Sequence, residues 1–158
     1  MGTLNQQLRK AQTVTPANLS KLLFGFVESI EPLLAELNRD QIFEKSVDIF
    51  GDPLGYYSRA TEFITTNDAL LGGSSRIKGE GEPYDFKDKN IFLPSIFAKV
   101  SRDFINFGSS DPKLDDILSN VRLLSKSFFG LTQENKFSVI QEQIKPHMLS
   151  VAREALGI

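Results

Sequence analysis

SIFAKVSRDFINFGSSDPKLDDILSNVRLLSKSFFGLTQEN, residues 95–135, is the stretch that decides the fold. Ile96, Ala98 and Val100 alternate with Phe97, Lys99 and Ser101, the period of a strand with one apolar face. The chain resumes after Arg102-Asp103 as Phe104, Ile105, Asn106 and Phe107. With Arg102-Asp103 as the loop of a hairpin, Val100 pairs with Ile105 and Ala98 with Phe107. Arg-Asp is a poor primed-type turn, so the hairpin is specified better than its register. Gly108 to Pro112 then reads as a stop followed by a start. Ser110 or Asp111 accepts from a free helical N–H, and Pro112 suits a first helical position. Leu114, Ile117, Leu118, Val121 and Leu124 follow at helical spacing, with Asp115 and Asp116 near the positive end of the dipole. Ser125 to Gly130 ends this helix, and Thr132 caps a last one with Glu134 in its first turn.

Upstream, Thr15 and Pro16 open the strongest helical pattern in the chain: Leu19, Leu22, Leu23, Phe26, Val27, Ile30, Leu33, Leu34 and Leu37. Pro32 removes a backbone donor and crowds the carbonyl of Glu28, which predicts a kink or break near Ser29 to Glu31. Gly25, set in the apolar pattern, is expected to mark the close approach of another element. Residues 1–14 are polar and aperiodic, a flexible tail that is disordered or orders on a neighbour. At the other end, Phe137, Ile140, Ile144, Met148 and Val151 line one side of the last helix. Pro146 is expected to kink it near Glu142 or divide it.

Between these parts, Gly51-Asp52-Pro53 and Gly55 punctuate a turn-rich connection. Tyr56 to Thr65, aromatic and β-branched, is open between a strand and an extended edge segment. Periodicity then vanishes from Thr66 to Lys89, where Gly72-Gly73-Ser74-Ser75, Gly79, Gly81 and Pro83 make a long loop. Loops of this length are usually functional or disordered. Leu70, Leu71, Ile77 and Tyr84 within it are apolar groups a spacer does not need, and Arg76, Lys78 and Lys87 suit an acidic neighbour. The expectation is a loop mobile in the free subunit and ordered against an adjacent one.

With 158 residues, 41% hydrophobic and 24% charged, the chain has the size and composition of one globular domain. A net charge of −2 with scattered Lys and Arg argues against specific nucleic-acid binding. The absence of cysteine excludes disulfides, thiolate metal sites and thiol catalysis. No signal-peptide core or membrane span is visible. Thirteen Phe and no Trp leave some Phe for contacts beyond the core.

Catalytic chemistry finds little support. Gly73 to Gly79 lacks the Gly-Lys-Ser/Thr order of a phosphate loop. His147 is the single histidine and has no marked nucleophile nearby, so a helix-packing role is favoured. Asp48, Asp52 and Glu62 could in principle form a carboxylate pair for acid–base work or hard-metal binding, but turn capping explains Asp52 before Pro53. The reading is therefore not an enzyme, with no catalytic residue, cofactor or metal.

The order hairpin, GSSDPK, helix and FFGLTQEN resembles the small tail-completion and neck proteins of tailed bacteriophages. Many of these carry a Phe/Leu-Gly-Leu-Ser/Thr-x-Glu/Asp segment before the C-terminal helix, here FFGLTQE at Phe128 to Glu134. They often have an Asp-Thr-Gly or Arg-Thr-Gly turn leading into the sheet. FKDKNIF, Phe86 to Phe92, stands there with Lys89 and Asn90 in place of Thr-Gly. The resemblance implies a structural protein of the virion, assembled in the bacterial host cytoplasm. It would form a homo-oligomeric ring at the neck, the head-to-tail connector or the tail terminus, with other virion proteins as partners and no membrane role. The alternative is a cytosolic adaptor or regulatory binding module without catalytic activity.

The expected fold is α+β: residues 15–158 form a small antiparallel sheet packed by the Pro16 to Asn38 helix and a C-terminal helix. Leu70, Leu71, Arg76, Ile77, Lys78, Tyr84, Phe97, Phe104, Phe128 and Phe129 are the candidate interface residues.

Overall fold

The computed structural model describes residues 4–12, 14–73, 76–86, 91–101, 104–116, 119 and 127–156. The hairpin sits at its centre. Strands β1 (Ile96–Val100) and β2 (Ile105–Ser109) pair antiparallel, with Val100 opposite Ile105 and Ala98 opposite Phe107. The register is the one expected, and the loop closes with Ser101 N–H donating to the Phe104 carbonyl at 2.8 Å. Arg102 and Asp103 lie outside the described residues. The second strand runs two residues beyond Phe107, through Gly108 and Ser109. Gly108 leaves room for the Phe97 ring, which crosses its partner strand: a Cβ would stand 2.9 Å from Cζ of Phe97 and push that ring aside.

Pro32 divides the long apolar pattern as expected. Helix α2 (Pro16–Ser29) is capped by the Thr15 hydroxyl, which accepts from Asn18 N–H at 3.3 Å, and α3 (Glu31–Phe43) restarts after Ile30. Glu31 ties this break to the hairpin, because its carboxylate accepts Val100 N–H at 2.7 Å and Lys99 Nζ at 3.3 Å. Gly25 marks no close approach, since nothing lies within 4 Å of where its Cβ would be. That corrects the reading of its place in the sequence: α2 meets the core through Val27, while Gly25 faces outward.

The core has two parts that meet across α3 and β1. Val27, Leu34, Ala35, Ala98, Leu131 and Val139 form one. Ile42, Leu54, Phe92, Ile96 and Phe128 form the other, with Phe92 supplied by the short helix α5 (Phe92–Ser95). An α+β protein results, with a two-stranded sheet and a C-terminal helix.

Three segments differ from expectation. Leu4–Gln12, expected in a flexible tail, is a helix, α1, that packs on the C-terminal helix. Leu4, Leu8 and Ala11 recur at helical spacing, a signal diluted by the polar residues between them. Tyr56 alone makes a bridge, to Pro83, and Arg59–Leu70 is a helix, α4, whose Ser58 cap accepts from Thr61 N–H at 3.3 Å. Thr66 to Leu70 thus finish a helix and do not begin a loop. After Asp111, whose carboxylate accepts Lys113 N–H at 2.8 Å, helical structure starts at Leu114 and not at Pro112. Ile117, Leu118, Val121 and Leu124 lie outside the described residues.

Thr132 caps the last helix as expected, accepting from Asn135 N–H at 3.2 Å. Helix α6 (Gln133–Ser138) passes into a π-helical segment (Val139–Ile144) and then α7 (Lys145–Leu156). The wider turn accommodates Pro146, which offers no N–H to the preceding turn. It also rotates the helix face: Val139 is buried, while Phe137 and Ile140, expected on the inner side, are exposed.

The Glu31 contact has a pH signature. Its carboxyl is held below the usual range, first by the Val100 N–H, with burial opposing and Lys99 assisting. A depressed carboxylate stabilises the fold above its unfolded pKa of about 4.3 and loses that contribution as pH falls through the lower folded value. The Val100 amide is expected to lose hydrogen-exchange protection in acid in the native protein. In Glu31→Gln that protection should change little between pH 6 and pH 3; equal acid sensitivity in both would show that the contact is not responsible.

Candidate assembly surface

Two buried amides hold the segment FFGLT. Asn38 Nδ2 donates to the carbonyls of Phe128 at 2.8 Å and Gly130 at 2.7 Å. Gln41 Oε1 accepts Thr132 N–H at 2.8 Å and Asn135 Nδ2 at 3.3 Å. Three residues apart on α3, they occupy one helix face. Gly130 has φ +130, a conformation that strains any residue with a side chain. The segment is therefore fixed, and its Phe129, Gly130 and Leu131 line a groove.

That groove, about 710 Å³, runs between α2, the hairpin and the π-helical segment. Leu23, Val27, Val100, Phe107, Leu131 and Ile144 form much of its wall. Phe24, Phe104, Ile105 and Ile140 also line it and are exposed, Phe104 by 60%. Contiguous apolar exposure of this kind marks interaction surfaces.

A second apolar surface lies on α4. Phe63 and Ile64 are exposed, and Leu70 and Leu71 are 80% and 87% exposed. At 100° per residue these four fall on one side of the helix. The opposite side makes polar contacts inward: Thr65 Oγ1 accepts Lys78 N–H at 3.0 Å, and Glu62 Oε2 accepts Glu80 N–H at 2.8 Å. The usual amphipathic arrangement is inverted.

The chain from Arg76 to Phe86 is fastened beneath α4. Tyr57 OH donates to Asp85 Oδ1 at 2.8 Å, Arg76 pairs with Asp85 and, at 3.0 Å, with Glu82, and Lys78 Nζ lies 5.3 Å from the Tyr57 ring centroid. Bonds expected to await a neighbouring copy are thus made within the chain. Burial above all, with the Asp85 carboxylate beside it, pushes the Tyr57 phenol above its usual value. The neutral phenol stabilises the fold below its unfolded pKa of about 10, and that contribution is lost as pH rises toward the folded value. Tyr57→Phe should cost about 1.5 to 3 kcal/mol, the range for a hydrogen bond to a charged acceptor. It should also speed exchange at the Gly81 and Tyr84 amides; unchanged exchange there would remove Tyr57 as the fastener.

The candidate interface residues separate accordingly. Leu70, Leu71, Ile77, Phe97 and Phe104 are exposed. Arg76, Lys78 and Tyr84 commit their polar groups or rings within the chain, Tyr84 packing edge-on against Tyr57 at 4.9 Å. Phe128 is a correction: it is 2% exposed and sits in the core. Phe129, half-buried, lies between core and groove. Lys87 and Lys89-Asn90 fall outside the described residues. Sequence reading missed Phe63, Ile64, Phe24, Ile105 and Ile140. The Ser58 cap followed by apolar pairs seven residues apart was the available signal for the first two.

The considered catalytic groups have structural partners. His147 stacks on Phe26 with centroids 3.9 Å apart. Asp48 Oδ1 accepts Phe50 and Asp52 N–H, both at 2.9 Å, closing the turn around Gly51. Among the described residues no three metal-ligating side chains gather, and no helix is long and apolar enough to cross a membrane. No protein-family model, characterised protein or solved structure matches the chain.

Proposed function

We propose that this chain is a non-catalytic structural subunit of a tailed-phage virion, part of a ring at the neck or tail terminus. The observation that carries the reading is the exposed apolar groove to whose wall Phe129, Gly130 and Leu131 of the FFGLT segment contribute. The segment that bears the phage resemblance is thereby also the segment that shapes a contact surface. Exposed Phe104 and Ile105 extend this surface onto the hairpin, whose two strands have no third partner among the described residues. Unpaired edges and apolar rims are means by which ring subunits adhere head to tail.

Portal, terminase, capsid or tail-tube genes beside this one, and antibody labelling at the neck or tail end of the particle, are the expected results. A chain encoded apart from any such genes and missing from particles would favour the adaptor reading. Phe104→Ala should impair assembly while costing the isolated subunit less than about 1 kcal/mol, because the side chain is mostly exposed. Loss of the ~3 to 5 kcal/mol typical of a buried Phe would place it in the core instead.

A further inference from the structure

The α4 ridge is convex and the groove is concave, and no α4 residue lines the groove of its own chain. Each is apolar, and the stretch Phe63 to Leu71 carries one charge, Asp68, opposite in sign to the one lining the groove, with Arg59 on the same side of the helix a turn before Phe63. Among the described residues Lys136 is the only ionisable one lining the groove, and it has no ion pair with any of them. Asp68 stands at the rim of the ridge, one turn from Ile64 and from Leu71, and likewise has no ion pair among the described residues. Phe63 to Leu71 spans about 12 Å along the helix.

We propose that α4 of one copy docks in the groove of the next, burying Phe63, Ile64, Leu70 and Leu71 and setting Asp68 against Lys136. The contact joins two different surfaces, so it propagates head to tail and gives a ring when the rotation closes. It rests on the ring reading for that closure and supplies the interface the ring needs. Charge at the rim fixes orientation, and the apolar ridge provides the contact area.

Charge exchange tests it. Asp68→Lys and Lys136→Asp are each expected to weaken self-association at least tenfold in sedimentation velocity. A chain carrying both substitutions should recover most of the wild-type association, since every interface then holds the reversed pair. Folding of each variant is checked by circular dichroism.

The cysteine-free chain offers a second measurement. Mixed Leu71→Cys and Ile140→Cys copies should give a disulfide-linked dimer, and a chain with both a ladder of higher species. Neither single variant alone should cross-link. Absence of charge rescue together with absence of mixed cross-links overturns the contact. Cross-linking within one single variant points to a two-fold interface and overturns it as well. If wild type still oligomerises in those cases, the ring reading survives without this interface. If rescue and ladder occur but particles lack the protein, the contact stands and the virion role fails. A wild-type chain that remains monomeric contradicts both, and capture of a different protein's helix in place of α4 overturns the self-docking.

Discussion

Asn38→Ala is expected to destabilise the subunit by about 3 to 5 kcal/mol, because it orphans one buried and one part-buried carbonyl and leaves a cavity. Asn38 is fully buried, and its amide is the bridge between the carbonyls of Phe128 and Gly130. Without that donor the strained Gly130 turn loses its anchor to α3. For a domain of this size the loss corresponds to a melting point lower by roughly 6 to 20 °C. Assembly should fall with it, since Phe129, Gly130 and Leu131 of the same segment contribute to the groove wall. Thermal and urea denaturation of the isolated subunit measure this directly. A variant within about 1 kcal/mol of wild type would show that the turn is held by other contacts.

Phe128→Ala is the second large effect, about 3 to 5 kcal/mol, the range for deleting a buried Phe. Its ring lies 4.6 Å from Phe129, 5.5 Å from Phe86 and 6.1 Å from Phe92 by centroid, so truncation removes the centre of an aromatic cluster. Phe86 supports this cluster from a left-handed backbone at φ 52, a conformation unfavourable for a bulky residue and held by the packing around it. The contrast with Phe104→Ala is the informative one. Urea midpoints should fall sharply for Phe128→Ala and barely for Phe104→Ala, while association should weaken in both.

The hairpin register and the break at Pro32 were legible because each rests on local rules: alternation with period two, and a missing backbone donor. The Thr15 and Thr132 caps were legible for the same reason. Helix α4 was not, because its outward apolar residues and inward Thr65 reverse the pattern that marks a helix packed on a core. Phe137 and Ile140 were placed on the inner side, and Val139 was passed over, because a π turn advances the register in a way no regular periodicity anticipates. Asn38 and Gln41 were hidden for another reason. A buried amide is recognised by the carbonyls and N–H groups it meets, and those lie about ninety residues away in sequence. The candidate surface was half visible: exposed Phe97 and Phe104 follow from the mixed faces of the hairpin, whereas the groove exists only once α2 and the π segment converge.

Native mass spectrometry of the purified chain across a wide concentration range tests the assembly claim most directly. The expected spectrum shows the 17.7 kDa subunit at low concentration giving way to one discrete, closed multiple of that mass. A spectrum that stays at 17.7 kDa at every concentration would contradict it.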